Sequence, residues 1–449
     1  MIKSFKTELD PNNKQRTLFA KHAGCARFAY NWALNLLQEN NKKKKEEEKL
    51  FIENRKSLGL PELSEQELKK YRTEQSKKYL RPNAIDLHKL INTKKETEFP
   101  WMYEVSKWSV QNALRQVETA YKNFFFSLKS KKRKTGLPKK KKKDQRDSFT
   151  VDNPVIVFEN CIQLPKIGKV RLKEHNYLPL GKQSKATVSK KANRWFVSVF
   201  CEVPEIQKKE LKHEKLGVDL GIKSLITCSD GTQIKNSDKI KKLQKTLKRT
   251  QRKLAKQKKG SKSRQKTKLK LQKLHYKISC SRNDILHKAT TLLAKTKLEE
   301  TIVMEDLNVK GIIKNHNLAQ AIANVGMGEF GRQLLYKTQW YGKRLEFADR
   351  FFPSSKMCSR CGWINHSLKL SDRVFKCSEC GLEIDRDLNA AVNLKNFRKD
   401  WKEYLSSLST TRHVGINAGG DESFISLSLD KERCLSKKSE ENVSLLVNL

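Results

Sequence analysis

No run of about 18 apolar residues occurs anywhere in the 449 residues, which excludes the pattern of a membrane-spanning helix. The opening stretch, MIKSFKTELD, has no apolar core of signal-peptide length. A soluble, cytoplasmic protein with reduced thiols is therefore expected. Acidic residues are missing from two long stretches. Residues 129–143 carry ten basic side chains and no acid, and residues 239–277 carry eighteen and none. Over the whole chain Lys plus Arg is 95 against 49 Asp plus Glu, a net charge of +46. Solubility does not need such an imbalance; it is the footprint of a protein that binds a long polyanion, and nucleic acid is the expected partner. Charge alone does not separate RNA from DNA. Disulfide patterning is also lacking: Cys25, Cys161, Cys201, Cys228, Cys280 and Cys434 are scattered and need no bridge.

What is present is concentrated in residues 353–393. Cys358-Ser359-Arg360-Cys361-Gly362 and Cys377-Ser378-Glu379-Cys380-Gly381 are two CxxC pairs 15 residues apart. That spacing suits four thiolates converging on one tetrahedral Zn²⁺, with a glycine after each pair where the chain turns back. Cys358, Cys361, Cys377 and Cys380 are the expected ligands. Four protein ligands leave no open position, so the zinc would be structural. Two disulfides or four buried thiols are the competing reading.

Taken in order, the chain begins with an alternating strand over residues 2–9, followed by helices to about residue 130. Leu18, Cys25, Ala26, Ala29, Ala33 and Leu36 fall at helical spacing. The charge run 42–49 reads as a solvated helix or a loop. Trp101 and Trp108 precede the amphipathic series Val110, Leu114, Val117 and Tyr121, and the same periodicity assigns both tryptophans to a core. Gly136 and Pro138 make residues 129–143 a mobile, phosphate-seeking loop, with a nuclear localisation signal as the alternative. Residues 161–172 and 186–203 read as hairpins that could close a small barrel with the first strand. Residues 216–227 read as strand, bend, strand. Residues 239–277 read as a helical hairpin with a thin apolar edge at Leu243, Leu247 and Leu254. A short buried strand, residues 301–307, ends in acids.

Three acids stand in distinctive settings: Asp219 within an apolar strand, Glu305 at the end of one, and Asp387 before a helix. A carboxylate in an apolar strand is costly unless paired or metal-bound. Three carboxylates from separate elements could hold two Mg²⁺ ions about 4 Å apart for phosphodiester hydrolysis. The bland readings are a turn-forming Asp219, a surface Glu305 beside Asp306, and Asp387 as a helix N-cap.

Gly217-Val218-Asp219-Leu220-Gly221, Met304-Glu305-Asp306-Leu307, Pro353-Ser354-Ser355-Lys356 with the CxxC pairs, and Asp385-Arg386-Asp387-Leu388-Asn389-Ala390-Ala391-Val392-Asn393 together resemble TnpB, the transposon-encoded RNA-guided DNA nucleases related to compact type V CRISPR effectors. The start, residues 24–31, resembles them too, and the likeness runs over roughly residues 1–400. The resemblance implies an α/β multidomain protein. A β-barrel (wedge-like) domain of residues 1–9 and 131–205 would carry a helical recognition domain, 10–130. An RNase H-like (RuvC) nuclease domain, 206–352 and 383–400, would be split by a zinc knuckle, 353–382. Residues 401–449 match no motif and are expected to be a disordered tail. By the same resemblance Asp219, Glu305 and Asp387 are catalytic Mg²⁺ ligands. The partners would be a guide RNA derived from the transposon end and target double-stranded DNA beside a short flanking motif, bound by a monomer with one RNA. The host would be bacterial, with the protein joining the nucleoid when bound to DNA. A non-cleaving regulator of transposition and a guide-independent transposase or resolvase are the alternatives.

Overall fold

The computed structural model describes residues 2–78, 83–129, 135–206, 210–222, 224–314, 316–369 and 371–403. The expectation of a disordered tail falls outside the described residues from position 404 onward, as do residues 130–134 of the basic loop. The described chain forms two compact units. One comprises Met1–Lys212, Lys235–Glu300 and Val309–Arg344, the other His213–Ile234, Thr301–Asn308 and Leu345–Leu449.

In the first unit six strands close a barrel: β1 (Ile2–Asp10), β2 (Ser148–Val157), β3 (Cys161–Leu164), β4 (Gly168–Leu172), β5 (Gly181–Lys191) and β6 (Arg194–Glu202), in spatial order β1-β4-β3-β2-β5-β6. Alternation sets the inside. Thr7 and Leu9 of β1 point to the core, as do Val197, Val199 and Cys201 of β6. The β5–β6 hairpin turns on Ala192 and Asn193, both left-handed at φ 53° and 63°, the hand that matches strand twist in a two-residue loop. Strand β2 was not legible as one run. Its register slips between Asp152 and Val155, where Pro154 has no N–H to give the ladder.

Helix α1 (Asn13–Ser57) starts on a capping box in which the Asn12 side chain accepts from the Gln15 N–H and Gln15 returns a bond to the Asn12 N–H. It buries Phe19, Ala23, Ala26, Ala29, Ala33 and Leu37. The charge run 42–49 simply continues it as a solvated helix. After α2 (Glu65–Lys78) and α3 (Ala84–Thr93), α4 (Lys107–Lys129) buries Val110, Leu114, Val117 and Tyr121. Trp101 departs from expectation. It is 41% exposed, because it lies in a 3-10 turn, Pro100–Glu104, where helical spacing does not apply. The basic loop is also less free than its composition suggests. Asn31 brackets Lys141 through both its backbone N–H (2.8 Å) and its C=O (3.0 Å), while the ammonium bonds Gln116. Burial pulls the Lys141 ammonium down to about 8.

The lysine-rich region forms helices α5 (Asp238–Lys256) and α6 (Lys262–Thr291), packed on each other. Leu243, Leu247 and Leu254 are half-buried, so the apolar edge is narrow and the basic faces are left to solvent. Helices α7 (Val309–Ile312), α8 (His316–Val325) and α9 (Met327–Trp340) complete this unit. Among the described residues no helix is long and apolar enough to cross a membrane.

The second unit is built on a five-stranded sheet of β7 (Lys212–Leu220), β8 (Ser224–Cys228), β9 (Gln233–Lys235), β10 (Glu299–Glu305) and β11 (Arg344–Ala348), ordered β11-β10-β7-β8-β9. A hairpin of β12 (Val374–Lys376) and β13 (Glu383–Asp385) leads directly into α10 (Arg386–Lys395). Gly217 lets that helix reach the sheet. A Cβ there would sit 1.9 Å from the Ala391 carbonyl oxygen and 2.4 Å from the Lys395 nitrogen. Gly217→Ala is therefore expected to push α10 off β7 and lower stability by about 1–3 kcal/mol, the usual range for overpacking. Urea unfolding of the variant beside the parent checks this.

Candidate active site and metal centre

Asp219 is the penultimate residue of β7 and pairs in register with Thr227 of β8. The strand turns apolar only in its second half, where Leu216 and Val218 are buried within the sheet, and Asp219 follows them half-buried at the strand end. Glu305 ends the neighbouring strand β10, after buried Ile302, Val303 and Met304. Asp387 lies in the first turn of α10, and its Oδ2 is 3.9 Å from where a Cβ on Gly221 would be. The three acids thus meet in one field. The Asp219 carboxyl is pushed up to about 8 by burial first, then by the negative charges of Glu305 and Asp387, with Arg386 only partly offsetting them. Carboxylate oxygens with surplus negative charge suit a hard divalent cation, and among the described residues the three acids share a field without forming a ready-made metal-ligand group.

The turn before α10 assigns different tasks to its two aspartates. Asp385 is the N-cap: its Oδ1 accepts from the N–H groups of Asp387 and Leu388, each at 3.0 Å. The bland reading of Asp387 as the cap is thereby corrected, and its carboxylate is left for other use. Arg386 reaches back to the Lys369 carbonyl at 3.1 Å. Asp306 forms an ion pair with Arg350 at 2.7 Å, so the acid beside Glu305 is the one engaged at the surface.

Residues outside the acid set tie these elements together. On α10, Asn389 and Asn393 are buried, one turn apart. The Asn389 amide donates to the Met357 carbonyl (2.7 Å) and accepts from the Ser359 N–H (3.0 Å). The Asn393 amide donates to the carbonyls of Ser354 (2.8 Å) and Met357 (2.6 Å). Ser354, from the same loop, donates its hydroxyl to Glu305 Oε1. In the sequence these three residues stand only as letters of the motifs, with no role that composition gives them. The signal for the asparagines was their i, i+4 spacing, which puts two amides on one helix face.

Cys358, Cys361, Cys377 and Cys380 place their sulfurs within 4.8 Å of one another. Cys358 and Cys380 are 3.6 Å apart and Cys361 and Cys377 3.5 Å. These are not disulfides; they approach the roughly 3.8 Å edge of a tetrahedron with 2.3 Å metal–sulfur bonds. Gly362 and Gly381 take φ of 77° and 69°, which lets each donate its N–H back to the carbonyl of the first cysteine of its pair. The N–H groups of Arg360 and Cys361 serve the Cys358 sulfur, and those of Glu379 and Cys380 serve Cys377. Buried Phe375 with Trp363 and Leu368 packs around the group. Four soft donors, with no fifth group among the described residues, fit a closed Zn²⁺ site.

Comparison with known proteins follows these features. Residues 198–316 match the family described as "Probable transposase", 328–394 the "Cas12f1-like, TNB domain", and 1–46 a "Helix-turn-helix domain". In this chain, described residues 2–46 are one strand and part of one long helix. A "Putative RNA-guided DNA endonuclease" of Streptomyces pristinaespiralis is 32% identical over 400 residues, covering 87% of this chain and 88% of that protein. The "Putative RNA-guided DNA endonuclease InsQ" of Escherichia coli K12 is 30% identical over 410 residues, 88% and 91% of the two chains. Among solved structures, a Cas12f1 chain in complex with its guide RNA and target DNA aligns with a TM-score of 0.46 at 14% identity, covering 88% of this chain and 99% of that one.

Proposed function

The chain belongs to the TnpB family of transposon-encoded RNA-guided DNA endonucleases, and from that premise we propose that Asp219, Glu305 and Asp387 are its catalytic carboxylates. The observation that supports the proposal is their placement: two adjacent strand ends and one helix start put them in one electrostatic field, where burial first, and then the charges of Glu305 and Asp387, push the Asp219 carboxyl up to about 8. In this reading the sheet with α10 is an RNase H-like nuclease domain, the cysteine group is its zinc knuckle, and the barrel with α1 to α4 holds guide RNA and reads the motif flanking the target. Two Mg²⁺ ions, when bound, supply a water nucleophile at neutral pH and stabilise the leaving 3′ oxygen. The chain's own part is to present six carboxylate oxygens on rigid elements. Asp219 is fixed by its ladder, Glu305 by its strand end and Ser354, and Asp387 by a helix whose N-terminus favours its charge. The basic surfaces of α5 and α6 hold phosphates electrostatically.

The test uses protein purified with its RNA. Cutting of a matched duplex should require Mg²⁺, and rewriting the guide should move the cut to the new match. Cutting that ignores the guide would support a guide-independent transposase instead, and binding with no cutting would support a regulator.

A pH dependence follows. In magnesium-free protein the folded Asp219 carboxyl keeps its proton up to about 8, whereas an unfolded Asp loses it near about 4. Between those values the folded state binds more protons, so this group's contribution to stability falls as pH rises. A bound divalent cation favours the ionised form and removes the penalty. The difference in melting temperature between the parent and Asp219→Asn should widen from pH 5 to pH 9 without magnesium, the parent becoming relatively weaker. Magnesium should abolish that trend. A pH-independent difference would contradict it.

A further inference from the structure

Ser354 is 2% exposed, and its hydroxyl donates to Oε1 of Glu305. Its backbone is held from both sides: the N–H donates to the Phe352 carbonyl at 2.8 Å and the C=O accepts from Asn393 of α10 at 2.8 Å. Three residues on, the Met357 carbonyl accepts from the same Asn393 amide and from that of Asn389. One short loop therefore grips the carboxylate of Glu305 with a side chain and the helix that carries Asp387 with its backbone. A glutamate has three side-chain torsions, and at a strand end it has freedom to swing. A hydroxyl bond to one oxygen removes most of that freedom. It also leaves the second oxygen, and one lone pair of the first, for a cation.

We propose that Ser354 is a positioning residue for DNA cutting: its hydroxyl sets the orientation of Glu305 towards the divalent metal and locks it to the placement of Asp387 through the loop that Asn389 and Asn393 hold. The inference rests on the catalytic reading of Glu305. Residues that orient metal ligands typically change metal affinity or activity by about 10- to 100-fold when removed, and an effect in that range is expected here.

The experiment uses the full-length protein with its RNA and compares the parent with Ser354→Ala, Ser354→Cys and Glu305→Gln. Mn²⁺ binding is titrated directly by electron paramagnetic resonance, with Glu305→Gln defining the binding that does not depend on Glu305 and the remainder taken as the acid-dependent part. Cleavage is followed against metal concentration, and zinc content, target binding and melting temperature are recorded alongside. Ser354→Ala should weaken acid-dependent Mn²⁺ binding at least about tenfold and shift half-maximal cleavage to correspondingly higher metal, with zinc, target binding and melting temperature unchanged. Ser354→Cys, which keeps the shape and a weak donor, should fall between. The proposal is overturned if Ser354→Ala binds Mn²⁺ and cuts as the parent does. It is equally overturned if both variants lose activity only in step with melting temperature or zinc while the metal dependence stays put. Should Glu305→Gln cut normally, the catalytic reading itself fails; a dead Glu305→Gln beside a parent-like Ser354→Ala removes this inference alone.

Discussion

Asp387→Ala is expected to lose DNA cutting by about 1,000-fold or more, as removal of a metal-binding carboxylate withdraws several kcal/mol of transition-state stabilisation, while target binding and melting temperature hold. Asp385→Ala should do the reverse. Its Oδ1 closes two N–H groups at the start of α10, so its loss should lower stability by about 1 kcal/mol, the usual worth of an N-cap, and leave measurable cutting. The contrast is sharp because a single residue, Arg386, separates the two acids on the same turn. Cleavage of a matched target at saturating Mg²⁺, with thermal melts in parallel, separates them. Normal cutting by Asp387→Ala together with a folded but inactive Asp385→Ala would exchange the roles assigned to them.

The second large effect is expected at the cysteines. Metal analysis of the purified protein should give about one Zn²⁺ per chain, and Cys358→Ser should reduce it to near zero, since a three-ligand site loses most of a binding energy of roughly 10 kcal/mol or more. Cutting should fall with the zinc. Cys358 directly follows Met357, whose carbonyl holds α10, and β13, which pairs with β12 beyond the second cysteine pair, runs into the Asp385 cap. Losing the metal thus loosens both ends of the support for Asp387. Absence of zinc in the parent, or full zinc in the variant, would overturn the assignment. So would a zinc-free variant that cuts like the parent.

The parts of this architecture that were legible in the sequence are those where one local rule acts alone. Alternation exposed β1 and the β5–β6 hairpin, with the Ala192-Asn193 turn between its strands, because side chains of one parity enter the barrel. The helical hairpin expected over residues 239–277 resolves into α5 and α6 about the left-handed Gly260. The Asp219 and Glu305 settings were visible because apolar neighbours make a carboxylate conspicuous. What was not legible required two segments at once. Strand β2 hides its alternation behind a register slip that only β5 reveals. The sequence points to Asp387 as the cap, and only the bonds that the Asp387 and Leu388 N–H groups donate to Asp385 Oδ1 move the cap two residues back. Lys141 reads as one lysine among many until Asn31, far away in sequence, closes on its backbone. Ser354 reads as a small loop residue until Glu305 arrives beside it.

The order in which the acids occur has a consequence during synthesis. The barrel strands end at Glu202, so the barrel can close while the ribosome is still translating the sheet that follows. Asp387 emerges last, on a helix that packs against Gly217 and follows the cysteine hairpin in the chain. A nascent chain, or one cut short by a premature stop before residue 386, would keep the barrel and the lysine-rich helices and lack the third acid. On the function proposed above, such a product would keep the phosphate-seeking surfaces while having an incomplete blade, so the gene layout lets the grip mature before the scissors.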